Sequence, residues 1–392
     1  MIEVGIDASN LRLGGGITHL VELLRAGKPQ KHGISRVIVW GGKATLAEID
    51  DRPWLERAHE PALDMLLPVR LLWQSIRLPK LAHEHCDVLF VPGGSCPGRF
   101  RPFVTMSRNL LPFETQEKRR YGASWMFLKL SLLKMGQAKS FHKADGVIFL
   151  NAYARSTVIG HTGLLAANMT TIPHGVGSRF LRLPKVQKSL ADYSFDSPFR
   201  LLYLSIIDVY KHQCEVVEAV AELRQSGIPV ALNLVGPAYP PSWRRLRKVI
   251  RRVDPRGTFV CYLGPAPYDD LARHYHSADA FVFASSCENM PNILLEAMAA
   301  GLPIACSNRG PMPEVLGDSG LYFDPANRRE VADALRKLLE RPELRATLAQ
   351  KAYERSKTYS WQRCADETFS FITETYRNTC EDMKNTERRV QY

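Results

Sequence analysis

Twelve short runs of β-branched and aromatic residues recur along the chain, and each ends in small or polar residues. The segments between them, of which 212–227 and 327–341 are the clearest, carry apolar residues at helical spacing. Strands that are apolar on both faces need cover on both faces, so the pattern predicts parallel sheets flanked by helices. The runs are 2–7, 35–42, 87–94, 101–107, 144–151, 169–175, 199–205, 229–236, 258–264, 278–285, 302–307 and 320–325.

Chain length and a break in this pattern predict two such domains. A chain of 392 residues is too long for one ordinary core. Residues 182–198 are polar, bracketed by prolines and without periodicity, which is typical of a linker. We expect domains at 1–181 and 199–365, and a C-terminal helix and tail at 366–392 that returns toward the first domain. The predicted fold class is α/β, with two doubly wound, Rossmann-like domains facing each other across a cleft.

Composition limits the cellular compartments and the partners that are expected for this chain. No apolar run approaches the roughly 20 residues needed to cross a bilayer, and the first residues lack an export signal. The eight cysteines are scattered without a CxxC pair, which favours reduced thiols and a cytoplasmic location. The net charge of +12 suits polyanionic partners such as nucleic acid, acidic lipid headgroups or phosphorylated substrates. It suits simple solubility equally well.

The stretch SSCENMPNILLEAMAAGLP, at 285–303, holds two acids with seven residues between them, Glu288 and Glu296. It follows an apolar strand and continues as a helical pattern. Asn289 is the predicted cap of this helix, Pro291 lies in its first turn, and Gly301 ends it.

A helix that starts at the carboxyl end of a strand is a phosphate site, because its first amides point outward. Here those amides belong to Met290, Asn292 and Ile293. A carboxylate beside a phosphate must face hydroxyl groups, since like charges repel. A nucleotide sugar meets this condition, with Glu288 on the sugar and Glu296 on the ribose. Alternatively, both acids only complement the helix terminus.

The block ADAFVFASSCENMPNILLEAMAAGLPIACSNRGPMPEVLGDSGLYFDP, at 278–325, resembles the signature of the family four retaining glycosyltransferases, which have the GT-B fold. The glutamate pair, the LLEAMAAGLP helix, the PEVLGDSG turn and YFDP follow that family's order and spacing. Agreement extends from GGGITHL near the start to YSWQRCADET at 359–368. The resemblance implies that the first domain selects the acceptor and the second binds the donor.

Further site residues follow from the resemblance. The three glycines at 14–16 resemble the glycine loop whose amides approach the donor diphosphate, and Lys211 in DVYKHQ resembles the lysine that grips it. Glu288 and Lys211 are the implied catalytic residues. The implied donor-binding residues are Gly14, Gly15, Gly16, Lys211, Asn289, Met290, Pro291, Asn292, Ile293 and Glu296.

The chain also departs from the family pattern. Ser205 and Ile206 stand where the family has a diphosphate-binding arginine, so a second cation must come from elsewhere. A histidine that many members carry near the reacting sugar is replaced within SRNLLPFE, which makes Arg108 and Asn109 candidates for sugar or acceptor contacts. His174 replaces an asparagine of many members and is a further candidate, although a lone histidine is also often structural.

The resemblance implies a retaining hexosyltransferase that moves a sugar from a nucleotide diphosphate sugar to a lipid-linked saccharide acceptor. Bacterial surface polysaccharide synthesis, of the O-antigen or capsule type, is the expected setting. No Asp-x-Asp motif is present, so neither a metal nor another cofactor is expected. The alternatives are an epimerase or phosphorylase on the same fold, an inactive scaffold, and a non-catalytic basic binding protein. Nucleic acid is not an expected partner, because aromatic and basic residues do not alternate along strands.

Residues 118–143 combine apolar side chains, Trp125 and Phe127 among them, with Lys129, Lys134, Lys139 and other cations. Such a segment can lie in the interface of an anionic membrane. It can equally be a core helix with one solvated face. The first interpretation predicts peripheral contact with the cytosolic face of the inner membrane.

Overall fold

The computed structural model describes residues 1–12, 14–164 and 168–390, with side chains as far as 384. The chain forms two compact units. Unit 1 comprises Met1–Lys118, Ala123–Gly175 and the chain from Ser360 onward, and unit 2 comprises Arg119–Gly122 and Val176–Tyr359.

The described strands of unit 1 form one parallel sheet. They are β1 (Ile2–Asp7), β2 (Ile34–Gly41), β3 (Leu55–His59), β4 (Val88–Val91), β5 (Phe103–Met106), β6 (Gly146–Phe149) and β7 (Met169–Thr171). Their order is β3-β2-β1-β4-β5-β6-β7, so the direction of winding reverses between β1 and β4.

The described strands of unit 2 form a second parallel sheet. They are β8 (Phe199–Leu204), β9 (Val230–Val235), β10 (Val260–Gly264), β11 (Ala280–Phe283), β12 (Ile304–Ser307) and β13 (Leu321–Phe323). Their order is β10-β9-β8-β11-β12-β13, with the reversal between β8 and β11. The predicted α/β class with two doubly wound sheets is therefore confirmed.

Helices connect the strands. They are α1 (Gly15–Ala26), α2 (Lys43–Ala47), α3 (Leu67–His85), α4 (Thr115–Arg119), α5 (Trp125–Lys143), α6 (Ala152–Thr162), α7 (Gln213–Gln225), α8 (Pro240–Val253), α9 (Leu271–Ser277), α10 (Asn292–Ala299), α11 (Met312–Leu316), α12 (Arg328–Glu340), α13 (Pro342–Ser356) and α14 (Trp361–Val390). Short 3-10 helices lie at Pro29–His32, Pro61–Asp64, Ser178–Phe180, Leu190–Asp192, Val209–Lys211 and Tyr268–Asp270.

The central strands are buried on both faces, as their continuous apolar runs predict. Every residue of β4 and β11 is buried. On one face of the first sheet, Leu89 and Val91 pack with Trp73 of α3. On the other face α14 lies so close to β6 that a Cβ on Gly146 would come within 2.8 Å of Thr375 Oγ1. Each fully buried aliphatic or aromatic side chain contributes about 1.5–3 kcal/mol to stability.

Strand β3 has no counterpart among the predicted runs. Its sequence, LERAH, has only two apolar residues, and three of its five residues are exposed. It is the edge strand of its sheet. Charged, exposed edge strands avoid pairing with other molecules, and for that reason they lack the apolar signature of a strand.

The compact units divide the chain at 175/176 and 359/360. The predicted linker, 182–198, lies within unit 2, where buried Arg345 donates to the side chain of Gln187 and to the carbonyl of Lys188. The domain boundaries expected from the sequence stay predictions. Among the helices described, none is both long and apolar enough to span a membrane.

Candidate active site

The two predicted catalytic residues lie at the reversal point of the unit 2 sheet. Strands β8 and β11 are neighbours there, and the chain leaves them in opposite directions. In doubly wound sheets, loops that diverge in this way open a crevice for a ligand at the carboxyl ends of the strands. Lys211 follows β8 and Glu288 follows β11, so each belongs to one side of this crevice.

Lys211 and Glu288 form a direct ion pair, Nζ to Oε1. The side chain of Lys211 is only 5% exposed and that of Glu288 is 15% exposed. The ammonium also lies 5.0 Å from the ring centre of Tyr210 and 5.4 Å from that of Phe283. A cation held among rings and away from water attracts an incoming anion more strongly than a solvated lysine does.

The two loops that carry this pair are bonded to each other. The Ser286 amide donates to the Tyr210 carbonyl over 2.8 Å, and Ser286 Oγ lies 3.0 Å from His212 Nε2. His212 has a left-handed backbone, with φ of 50°, which is uncommon for a residue other than glycine. Burial, with the charge of Arg120 next in effect, lowers the pKa of His212 to about 4. A neutral histidine therefore fastens the lysine turn to the glutamate loop.

Helix α10 begins later than the sequence predicts. Pro291 is its N-cap and not a first-turn residue, since its carbonyl accepts the first helical bonds from Leu294 and Leu295 at 2.9 and 3.3 Å. Asn289 lies two residues outside and does not cap the helix. The reason is that a residue before proline is disfavoured in helical geometry, so the helix cannot extend back through Met290.

The other end of α10 agrees with the prediction. Gly301 follows the C-cap with φ of +64°, and a Cβ there would lie 2.7 Å from the carbonyl oxygen of Arg182. Only glycine fits this position without moving the backbone.

Glu296 points from α10 into a buried environment. It is 4% exposed, and the Tyr275 hydroxyl lies 2.9 Å from its Oε2 and 3.1 Å from the Ile293 carbonyl oxygen. Burial raises the pKa of Glu296 to about 7. A phenol has one proton to donate, so a protonated Glu296 can complete this network by donating its own proton to the tyrosine oxygen. The carboxyl group can thus change charge near neutral pH.

Neutral groups occupy the place of the family arginine. Gln213 donates to Ser205 Oγ over 3.0 Å and to the Ile206 carbonyl over 2.9 Å. Other cations lie near this turn, since the charges of Arg120, Arg245 and Arg309 help to lower the pKa of His212. Arg309 follows β12 and is paired with Asp324 at 2.6 Å.

In unit 1, the glycine loop and Arg108 are brought together. Gly14 has φ of +68° and Gly15 begins α1. The Arg108 guanidinium donates to the carbonyls of Gly15 and Gly16 over 2.6 and 3.1 Å. Burial lowers the pKa of Arg108 to about 10, which leaves it charged at neutral pH. In this structure Arg108 therefore holds the loop in place.

Asn109 and His174, the remaining candidate residues of unit 1, differ in their exposure to solvent. Asn109 is exposed, and its Oδ1 accepts a bond from the Leu111 amide over 3.1 Å, which closes a local turn. His174 is buried and stacks on His19 with 4.7 Å between ring centres and on Trp361 with 5.5 Å. Burial, followed by the charges of His174 and Arg108, holds the pKa of His19 well below its usual range.

Three residues that organise the unit 2 crevice escaped sequence reasoning, namely His212, Tyr275 and Asp208. Asp208 accepts from the Val209 amide over 2.7 Å and from the Tyr121 hydroxyl over 3.0 Å. An aspartate before a tight turn is a usable sequence signal. Tyr275 carries no such signal, because its partner Glu296 lies 21 residues away.

Comparisons with known proteins bear on this arrangement. Residues 189–355 match the family model described as glycosyl transferases group 1. The O-antigen chain mannosyltransferase B of Escherichia coli is 33% identical over 262 residues, which cover 66% of this chain and 65% of that protein. The chain therefore spans just under two thirds of the length of this relative.

Two solved structures share the fold. Sucrose-phosphate synthase from Thermosynechococcus elongatus has a TM-score of 0.76 at 18% identity, covering 97% of this chain and 100% of that one. HepE of Anabaena, solved in complex with UDP-glucose, has a TM-score of 0.70 at 18% identity and covers 96% and 100%. At such identity the likeness concerns the fold, which is that of GT-B glycosyltransferases. Segment 189–355 of this chain is thus similar to the group 1 glycosyl transferases, in sequence and in fold.

Proposed function

We propose that this protein is a retaining glycosyltransferase that moves a hexosyl group from a nucleotide diphosphate sugar to a lipid-linked saccharide in bacterial surface polysaccharide synthesis. The observation that carries the proposal is the desolvated Lys211–Glu288 pair at the reversal point of the unit 2 sheet. The name of the E. coli relative, an O-antigen mannosyltransferase, supports the setting and makes nucleotide diphosphate mannose the first donor to test. The UDP-glucose bound by HepE makes that compound the second.

The donor occupies the crevice of unit 2 in this proposal. Its diphosphate displaces Glu288 from Lys211, because two phosphate groups offer more negative charge than one carboxylate. The first turn of α10 adds backbone amides to the same anion. Glu288, once released, accepts hydrogen bonds from the sugar hydroxyls, and Glu296 accepts from the ribose.

Transfer requires little acid–base work from the protein. The bond between the anomeric carbon and the leaving phosphate oxygen breaks as the acceptor oxygen bonds to that carbon on the same face. The acceptor's proton passes to the leaving diphosphate. Lys211 stabilises the negative charge that accumulates on that group, and the fixed crevice orients it. In this proposal the reaction needs no metal ion, since Lys211 and the backbone amides supply the positive charge that binds the diphosphate.

Unit 1 selects the acceptor in this proposal, with the glycine loop and its anchor Arg108 as the organising feature. A lipid-linked acceptor requires the enzyme to work at a membrane. Helix α5 supports this, because four large apolar side chains spaced three or four residues apart are exposed along it: Trp125, Leu128, Leu132 and Met135. Lys129 and Lys139 are exposed on the same helix. Its expected contact with an anionic bilayer weakens when Lys129, Lys134 and Lys139 are replaced by Gln.

A donor panel with an oligosaccharide acceptor tests the activity, and NMR of the product determines its anomeric configuration. The expected result is transfer with retention, unaffected by EDTA and lost in Lys211→Ala. Inversion at the anomeric carbon would refute the retaining mechanism. Conversion of the donor to its epimer, or phosphorolysis without an acceptor, would instead identify one of the alternative enzymes on this fold.

A further inference from the structure

Helix α3 and the two residues before it expose a group of large apolar side chains that the sequence analysis did not single out. Leu66 is 78% exposed, Leu72 60% and Ile76 55%. The full set is Met65, Leu66, Leu67, Val69, Leu71, Leu72 and Ile76, which we call the α3 patch. With the four exposed residues of α5, it accounts for eleven of the nineteen exposed large hydrophobic side chains in the described chain. Apolar side chains concentrated in this way mark an interaction surface.

The α3 patch and the four exposed apolar residues of α5 lie on the same face of the unit 1 sheet. Helix α3 connects β3 to β4 and α5 connects β5 to β6, and both connections run in the same direction across the sheet. Right-handed crossovers in one direction place their helices on one face. The loop between β4 and β5 joins them, because Gln74 of α3 donates to the Ser95 carbonyl over 2.9 Å and the Cys96 amide donates to Ser140 of α5 over 2.8 Å.

Both apolar surfaces also lie toward the same end of the sheet. Each helix follows a parallel strand, so its N-terminal half lies near the carboxyl edge, and both surfaces except Met135 lie no further along than the middle of their helix. Arg70 of α3 confirms this position, since it donates to the carbonyl of Ser9, just beyond β1, over 2.9 Å. The carboxyl edge is the one that carries the glycine loop.

The charges within these surfaces are positive, although the exposed acids Asp64 and Glu84 border the α3 patch at either end. Residues 65–83 contain Arg70, Arg77 and Lys80 and no Asp or Glu, and residues 118–144 contain no Asp or Glu either. Arg77 and Lys80 are exposed. A second copy of the chain that docked here around a twofold axis would bring like charges together, because such an interface pairs a surface with itself. An anionic bilayer complements both the cations and the apolar side chains.

We propose that the α3 patch inserts into the interfacial region of an anionic membrane beside α5, so that the carboxyl edge of the unit 1 sheet faces the bilayer. The inference rests on the proposed membrane location of the enzyme and adds a second contact to it. The patch supplies the apolar part of the binding, which salt does not screen, while the lysines of α5 supply much of the part that salt weakens.

The test is co-sedimentation with vesicles of phosphatidylethanolamine and phosphatidylglycerol, at low salt and at about 0.5 M NaCl, where charge attraction is largely screened. The α3 variant combines Leu66→Gln, Leu72→Gln and Ile76→Gln. These side chains are exposed, so folding should be unaffected, and thermal denaturation checks this. A matched control combines Leu183→Gln, Val186→Gln and Leu263→Gln, which remove exposed apolar side chains from unit 2.

We expect the vesicle partition coefficient of the α3 variant to fall at least about tenfold at both salt concentrations. The control should bind as the wild type does. The α5 variant with Lys129, Lys134 and Lys139 changed to Gln should lose binding mainly at low salt. An α3 variant that sediments as the wild type does would overturn the inference while leaving the α5 contact standing.

Two other outcomes would also overturn it. One is a wild type that fails to sediment with vesicles. The other is a wild type that forms dimers in analytical ultracentrifugation while the α3 variant does not, which would show that the patch binds a second copy. Transfer to a soluble oligosaccharide, measured in parallel, separates this inference from the proposed activity. Transfer without vesicle binding would reject only the proposed membrane contact. Vesicle binding without transfer would reject only the proposed transferase activity.

Discussion

At the carboxyl edge of its sheet, unit 2 pairs two ionisable side chains of opposite charge, whereas the glycine loop of unit 1 is held by bonds from an arginine to backbone carbonyls. In unit 2, Lys211 pairs with Glu288 across the reversal point, and Glu296 bonds to Tyr275. In unit 1, Arg108 donates to the glycine-loop carbonyls and His19 stacks on His174.

The difference indicates that the two units, although they share one type of sheet, are suited to different ligands. A charged pair with little access to water is costly to keep without a ligand and responds strongly to an anion. A loop whose carbonyls accept from a guanidinium keeps its shape without a pair of opposite charges that a ligand could separate. Unit 2 is therefore suited to a charged, leaving ligand, and unit 1 to a partner that must be held in position.

The largest expected effect comes from Glu288→Gln. Turnover should fall about 10³-fold, the size expected when a group that stabilises the transition state is lost. The affinity for the nucleoside diphosphate should stay within about threefold or rise, because Lys211 loses a competitor for the phosphate. Steady-state kinetics and calorimetry measure the two quantities separately.

Glu218→Gln is the matched control, since Glu218 lies on α7 and pairs with Arg252 away from the crevice. It should change neither quantity. Equal losses of turnover and affinity in Glu288→Gln would mean that Glu288 is a structural acid, and the contrast between the units would disappear.

Glu296 should account for selectivity toward ribose. A carboxylate that accepts from a ribose hydroxyl contributes roughly 1.5–3 kcal/mol, so the wild type should prefer ribo- over 2′-deoxynucleotides by about 10- to 150-fold. Glu296→Ala should remove that preference. In the wild type, nucleotide affinity should also rise as pH increases through about 7, the value near which this buried carboxyl group loses its proton.

Calorimetry across that pH range provides the check, with Glu296→Gln as the variant that cannot ionise. A flat pH profile in Glu296→Gln and a rising one in the wild type are expected. If both proteins show the same rise, the titrating group lies elsewhere.

The sequence predicted more of the fold than of the candidate site. Each of the twelve predicted runs coincides with a strand to within a few residues, because buried parallel strands carry a continuous apolar signature. The runs do not determine the order of those strands, because doubly wound sheets occur with more than one order. Strand β3 could not be found in this way, since an exposed edge strand has no need of apolar residues.

The site was predictable where a residue follows a strand closely and not where it depends on contacts between elements. Lys211 and Glu288 could be placed near strand ends, but their ion pair required the adjacency of β8 and β11. The role of Tyr275 required the packing of α9 on α10. The N-cap of α10 could have been assigned correctly, because Pro291 restrains the residue before it.

Replacing Arg108 should reduce activity less than replacing the unit 2 glutamates does, and it should act through the order of the glycine loop. Arg108→Gln removes charge-assisted bonds to two carbonyls, so the glycine loop should become less ordered. We expect kcat/KM to fall about tenfold, with unchanged affinity for the nucleoside diphosphate. Arg99→Gln, at an exposed position of the same unit, is the control. A loss of diphosphate affinity in Arg108→Gln would show that this arginine replaces the one absent at Ser205 and Ile206.

The smallest expected effect is on stability in acid, and it tests both units with one type of residue. Buried His19 in unit 1 and His212 in unit 2 both have a lowered pKa, that of His212 near 4. A histidine with a lowered folded pKa stabilises the fold above the unfolded value of about 6.5, and this contribution is lost as pH falls below it, because the unfolded chain binds the proton more readily. At pH 5.5 each histidine should therefore cost about 1 kcal/mol relative to pH 7.5. His19→Gln and His212→Gln should each remove the part of this pH dependence that belongs to the replaced histidine, even if the variant also changes stability at pH 7.5. Denaturant unfolding at the two pH values measures the free energy of unfolding for each protein. If only His212→Gln does so, the histidine stack of unit 1 opens to water before the chain unfolds, and the rigidity assigned to that edge would be wrong.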